Sequence, residues 1–187
     1  ELTEKLRDKS KKGTLLWVLD KTSTSMGGRR LRRWLNDPLL DVERINKRLN
    51  AVKELKEKLI LRGDITDLLK KVYDIERLVG KISYGNANGR DLISLKNSIK
   101  QLPELKRIMV SADSTLLKEL YEELDTLEDI YTIIDNAIVE EPPISVKEGG
   151  LIKKGYDEEI DKLKIATTDG KNWLIQLEAD EREKTGI

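Results

Sequence analysis

Residues Thr14–Leu39 read TLLWVLDKTSTSMGGRRLRRWLNDPL, and this stretch decides the fold class. A short apolar, helix-like run (Leu15, Leu16, Trp17, Leu19) is followed by a turn rich in hydroxyls and glycine. Thr24 and Ser25 then offer hydroxyl caps for a helix over 25–36. That helix is strongly basic, carries Trp34 on one face, and stops at Asp37-Pro38, because the proline ring disfavours helical geometry at the residue before it.

The same grammar continues along the chain. Asp41 caps a helix with Val42, Ile45, Leu49, Val52, Leu55 and Leu59 on one face, a 3–4 spacing. Gly63-Asp64 is expected to break and recap it. The next helix is expected to carry Ile65 through Ile82, ending at the loop Gly85–Gly89. Asp91 starts a further helix through Ile99, interrupted or kinked at Pro103 and resumed to Val110. Helices are expected over 113–124 and 126–140. Pro142-Pro143 ends the helical region, since neither nitrogen can donate to a ladder. ISVKEGGLIKKG (144–155) alternates weakly and predicts a short hairpin-like excursion. Asp157 opens a long helix toward 185, supported by acid-before-base pairs such as Glu178–Arg182. Asp169-Gly170 conflicts with it as a turn signal, although a helical glycine costs only about 1 kcal/mol relative to alanine. Its apolar positions Ile160, Leu163, Ile165, Leu174 and Leu177 form a narrow stripe suited to one partner helix. The fold class expected is all-α: a helical bundle with a long projecting C-terminal helix and at most a short hairpin near 144–155.

Composition agrees with long exposed helices. Of 187 residues, 38% are apolar and 37% charged, with 35 basic against 35 acidic side chains and no Phe. The balance differs from the one-signed excess that marks disorder. The chain has no Cys and no His. This removes thiol nucleophiles, thiolate and imidazole metal sites, the Ser-His-Asp arrangement and the common pH switch. No apolar run approaches the roughly 20 residues that span a bilayer, so the expectation is a cytoplasmic chain with no membrane partner. The start at Glu1 without Met points to a piece of something longer.

The sequence carries few marks of catalytic or binding chemistry. No glycine-rich loop ends in Gly-Lys-Ser/Thr, and adjacent carboxylates such as Glu122-Glu123 point different ways from a helix. No catalytic, cofactor-binding or metal-ligating residue is assigned, and an enzyme is not expected. A hydrolase using carboxylates alone is the weakest alternative. The one candidate binding feature is Arg29, Arg30, Arg32 and Arg33 beside Trp34. The guanidiniums could grip phosphates, with Arg29, Arg30 and Arg33 as weak DNA or partner contacts. Alternatively, Leu31, Trp34 and Leu35 bury while the arginines snorkel or pair with acids on neighbouring helices. Residues 1–33 carry ten basic and four acidic side chains, net +6, and residues 113–142 one basic and ten acidic, net −9. Acidic partners therefore lie within the chain, and the second reading is preferred. Trp17 and Trp34 are read as core anchors.

Residues 14–39 closely resemble the start of the core, or lever, domain of the MutS family of DNA mismatch repair proteins. The resemblance runs collinearly through VYDIERLVGKISYGNANGRDLISLKNSI (72–99), EEPPISVKEGGLIKKGYDEEIDKL (140–163) and LEADEREKTGI (177–187). It implies that residues 1–143 form the first half of the lever, and 144–187 the connection and ascending arm toward a clamp that would begin after Ile187. In that family an N-terminal domain reads the mismatch through a Phe-and-Glu motif, and a C-terminal domain with a Walker A loop hydrolyses ATP with Mg. Neither motif is in this chain, so no cofactor and no mismatch-reading residue carries over to it. The implied role is to relay motion between a distant ATPase and the clamp. Mismatched duplex DNA and a second subunit are implied as partners of the longer protein. Without the returning helix, the 157–185 arm is expected to expose its stripe and self-associate. The runner-up is a stand-alone helical nucleic-acid-binding module using the Arg29–Arg33 face.

Overall fold

The computed structural model describes residues 1–185. Its α-helices among the described residues are α1 (Leu15–Leu19), α2 (Ser25–Asn36), α3 (Val42–Glu57), α4 (Leu59–Leu69), α5 (Ile75–Ser83), α6 (Gly89–Ile99), α7 (Leu102–Met109), α8 (Thr115–Glu123), α9 (Glu128–Ala137) and α10 (Glu158–Thr185). The protein is all-α, with no strand among the described residues and one isolated antiparallel bridge, Ile138 to Ile152. None of these helices is long and apolar enough to cross a membrane.

Side-chain caps define most helix starts. Thr14 accepts from the Trp17 N–H, Thr24 from Gly27, Asp41 from Arg44 and Asp74 from Arg77. Asn88 and Asp91 form a reciprocal capping box, so α6 begins two residues earlier than the Asp91 start read from sequence. Asp157 accepts from Glu159 and Ile160, both at 2.9 Å, at the start of α10. Each such bond satisfies an N–H with no partner inside the helix.

Several expected boundaries are corrected. Gly63-Asp64 does not break the chain; α4 runs through it, and the break falls at Lys58 (φ −87°, ψ 76°). The Lys58 ammonium is drawn across to the Ser111 carbonyl (2.7 Å) and the Asp113 carboxylate (2.6 Å). A long-range pull thus sets the turn, while open space around Gly63 leaves its helix undisturbed. The helix expected to carry Ile65 through Ile82 is two helices, because Tyr73 N–H donates to Ser98 Oγ of α6 (2.9 Å) and Asp74 starts α5 afresh. Helix 126–140 is shorter at both ends. Leu127 sits in the left-handed region (φ 52°) before α9, and Ile138 is already extended. The excursion at 144–155 is not a hairpin. It contains a 3₁₀ turn at Val146–Glu148, and Gly149 and Gly150 both adopt φ 72°, the conformation that favours glycine. α10 is continuous through Asp169-Gly170.

Two small cores organise the bundle. The first gathers Leu78 of α5, Leu95 and Ile99 of α6, Leu102 of α7, and Ile134, Ala137 and Ile138 at and after α9. The second gathers Ala51 of α3, Met109 of α7, Ala112 in the turn between α7 and α8, and Leu117 of α8. Leu102 and Met109 are seven residues apart, two turns on one helix face, so α7 ties the two cores together. Fully burying a side chain such as Ile99 contributes about 1.5–3 kcal/mol.

Two elements stand apart. α2 has no fully buried residue. In α10, every described side chain beyond Lys164 is exposed.

Candidate functional site: the arginine helix and the base of the arm

α2 presents its arginines to different partners, not to one open face. The Arg29 guanidinium bonds both Asp74 oxygens at 2.7 Å and also reaches Glu76 (3.1 and 2.5 Å). Asp74 therefore caps α5 and receives Arg29 at once. The Arg29 hydrogen bonds hold its carboxyl below the usual range, while Asp74 and then Glu76 raise the guanidinium above its own. Arg32 pairs with Glu4. Arg30 lies 5.8 Å from the centre of the Trp34 ring, and Arg48 of α3 only 4.0 Å from it. Arg33 makes no ion pair among the described residues.

The reading of Trp17 and Trp34 as core anchors is corrected. Trp17 is 52% and Trp34 39% exposed. Leu16, its neighbour, takes the buried position in α1. Trp34 instead serves as a flat platform for two guanidiniums, an attraction between cation and ring quadrupole. A basic helix flanking an aromatic is compatible with either outcome from sequence alone, because the acceptors lie 28 to 47 residues away.

Two ionic nodes escaped the sequence reading. In one, the Glu54 carboxylate accepts the Asp113 and Ser114 N–H groups, both at 2.7 Å, and the Lys58 ammonium at 2.9 Å. Burial acts to raise its pKa, but hydrogen bonds from Ser114, Lys58 and Asp113 outweigh it and hold the group at about 2, against an ordinary 4.5. Glu54 thus joins α3 to the start of α8. Its i,i+4 spacing to Lys58 was the only local signal, and it reads as an ordinary surface pair.

The second node sits at the base of the arm. Lys96 of α6 is only 4% exposed, and its ammonium meets Asp135 of α9 (3.0 Å) and Glu140 (2.7 Å). Burial works against its charge, but Glu140 and Asp135 more than compensate and its pKa is raised. Lys153 donates to the Asp135 carbonyl at 2.5 Å. A buried ammonium is tolerated only with such partners. No group of three or more His, Cys, Asp or Glu side chains placed to hold a metal occurs among the described residues. The nodes bind helix to helix.

An all-helical bundle of two small cores, cross-tied by ion pairs and extended by one solvent-exposed helix, is the class of domain this geometry defines. The chain belongs to the MutS domain III family, whose sequence model matches residues 1–185. Over all 187 residues it is 54% identical to the DNA mismatch repair protein MutS of Acetivibrio thermocellus, 51% to that of Alkaliphilus oremlandii and 54% to that of Brevibacillus brevis. It covers 22%, 21% and 22% of those proteins, so the chain spans about a fifth of the length of the curated relatives it matches.

Proposed function

We propose that the chain is the lever segment of a DNA mismatch repair protein. Residues 1–143 act as the first half of the lever body, and 144–187 as the connection and ascending arm toward a DNA-holding clamp. The observation that carries this reading is the 28-residue α10, held at its first turns by the segment that precedes it and exposed at every described side chain beyond Lys164. Packed helices shift as units instead of bending smoothly, which suits a part that passes motion from an ATP-binding domain to the clamp. In this reading mismatched duplex DNA, ATP with Mg, and a second subunit are engaged by other parts of the longer protein.

The test uses the long protein containing this domain. A Gly170→Pro substitution, which costs a helix interior about 3 kcal/mol or more, should leave mismatch binding without nucleotide largely intact. It should strongly weaken the change that ATP produces in bound DNA. An unaltered ATP response in a folded variant would sink the lever role.

The alternative, a nucleic-acid grip by the Arg29–Arg33 face, finds less support, because Arg29 and Arg32 already have carboxylate partners. Duplex DNA titrated at low salt into this chain should show no measurable binding. Binding that disappears in a folded Arg29/Arg30/Arg33 triple alanine variant would favour the grip.

A further inference from the structure

We propose that residues 138–157 form a latched strap that alone sets the direction of the arm, with Lys96 as its anchor and Gly89 as its seat. This deepens the lever reading and rests on it for its purpose, although the joint itself can hold or fail independently.

The strap is fastened to the bundle at several points. Val139 N–H donates to the Leu151 carbonyl (3.1 Å) and Lys153 N–H to the Ala137 carbonyl (2.7 Å), closing the loop on itself at the end of α9. Leu151 and Ile152 pack on the first core. Arg90 donates from Nε to the Pro142 carbonyl at 3.2 Å. The buried Lys96 ammonium holds Glu140 from the strap and Asp135 from α9 together. At Gly89 the strap lies so close to α6 that an added Cβ would run into the Leu151 side chain and meet Pro142 Cβ at 2.7 Å. Glycine is required there by the approach of the strap, not by its backbone angles.

The arm, in turn, is fastened to the strap. Lys164 donates to the Ile152 carbonyl (2.7 Å), and the Asp161 carboxylate accepts from Gly155 N–H (2.6 Å). Ile160, Asp161 and Lys164 are the partly buried positions of α10, and all described side chains after them are exposed. The path of rigid connection from bundle to arm therefore passes through the strap. A loosened latch frees the arm without unfolding the bundle.

The absence of cysteine makes the test clean. Nitroxide labels at Asp129→Cys on α9 and Lys171→Cys on α10, both exposed sites, report the angle of the arm in the 187-residue chain. The unaltered strap should give one narrow distance distribution. Gly89→Ala and Lys96→Met should broaden it at least about twofold with helical content retained, as expected when a discrete packed arrangement is lost. If Lys96→Met fails to fold, Glu140→Gln and Arg90→Ala read the same latch from exposed or partly exposed positions. Asp67→Ala, at a surface pair remote from the strap, should change nothing. A broad distribution in the unaltered chain overturns the proposal, as do latch variants that are folded and as narrow as the parent. Neither result bears on the ATP response of the long protein, so a failed joint and a failed lever are separable.

Discussion

The Glu54 carboxylate, fully engaged by two backbone N–H groups and one ammonium, gives the chain its clearest acid-sensitive residue. Its folded pKa of about 2 lies below the ordinary 4.5. Its contribution is therefore fully present above pH 4.5 and is lost as pH falls through about 2. Glu54→Ala should cost about 2 kcal/mol in urea unfolding at pH 7, in the range of a lost helix cap, and the stability difference between variant and parent should shrink toward pH 2. An undiminished difference at pH 2 would place the stabilisation elsewhere. Core position matters as sharply. Ile99, 1% exposed, should lose about 2–5 kcal/mol on truncation to alanine. Ile60, 82% exposed, should lose less than about 0.5 kcal/mol. Hydropathy does not distinguish these two isoleucines, nor does it reveal that Trp17 and Trp34 face outward while Leu16 and a lysine are buried. Burial at a given residue depends on what the rest of the chain brings against it.

At the level of the helix, local chemistry was most legible. Thr24, Asp41 and Asp157 cap the helices their side chains announce, and Pro103 falls in the first turn of α7. These signals act within four residues, so they can be read in order along the chain. The breaks at Lys58 and at residues 70–74 were not legible, because their acceptors lie at Ser111, Asp113 and Ser98. Gly63 misled as a turn signal that its surrounding helix overrides, whereas Gly170, a turn signal in conflict with the long helix expected there, lies inside a continuous α10. No atom outside the helix backbone would obstruct a Cβ at Gly170, so Gly170→Ala should stabilise α10 by about 0.5–1 kcal/mol. Slower amide exchange over 158–185 would register it. Unchanged exchange would mean that the glycine does not limit the arm.

For the molecule as a whole, the family and the all-α class were within reach of the sequence, whereas the division into two cores joined by α7 was not. α10 exposes Leu163, Ile165, Trp173, Leu174 and Ile175, each by more than half. Exposed stripes of this kind favour association. Sedimentation should show concentration-dependent self-association of the 187-residue chain, abolished by Leu174→Glu with Leu177→Glu. A monomer at every concentration would contradict it. The length of α10 has a further mechanical meaning. At 1.5 Å per residue, 28 residues reach about 42 Å, so a tilt of about 10° at Glu158 sweeps the tip through about 7 Å, more than one helical pitch. The base of the arm thus has angular gain. A rearrangement there no larger than the loss of one ion pair, well under the width of a side chain, emerges at the far end as a displacement on the scale of a whole turn of helix.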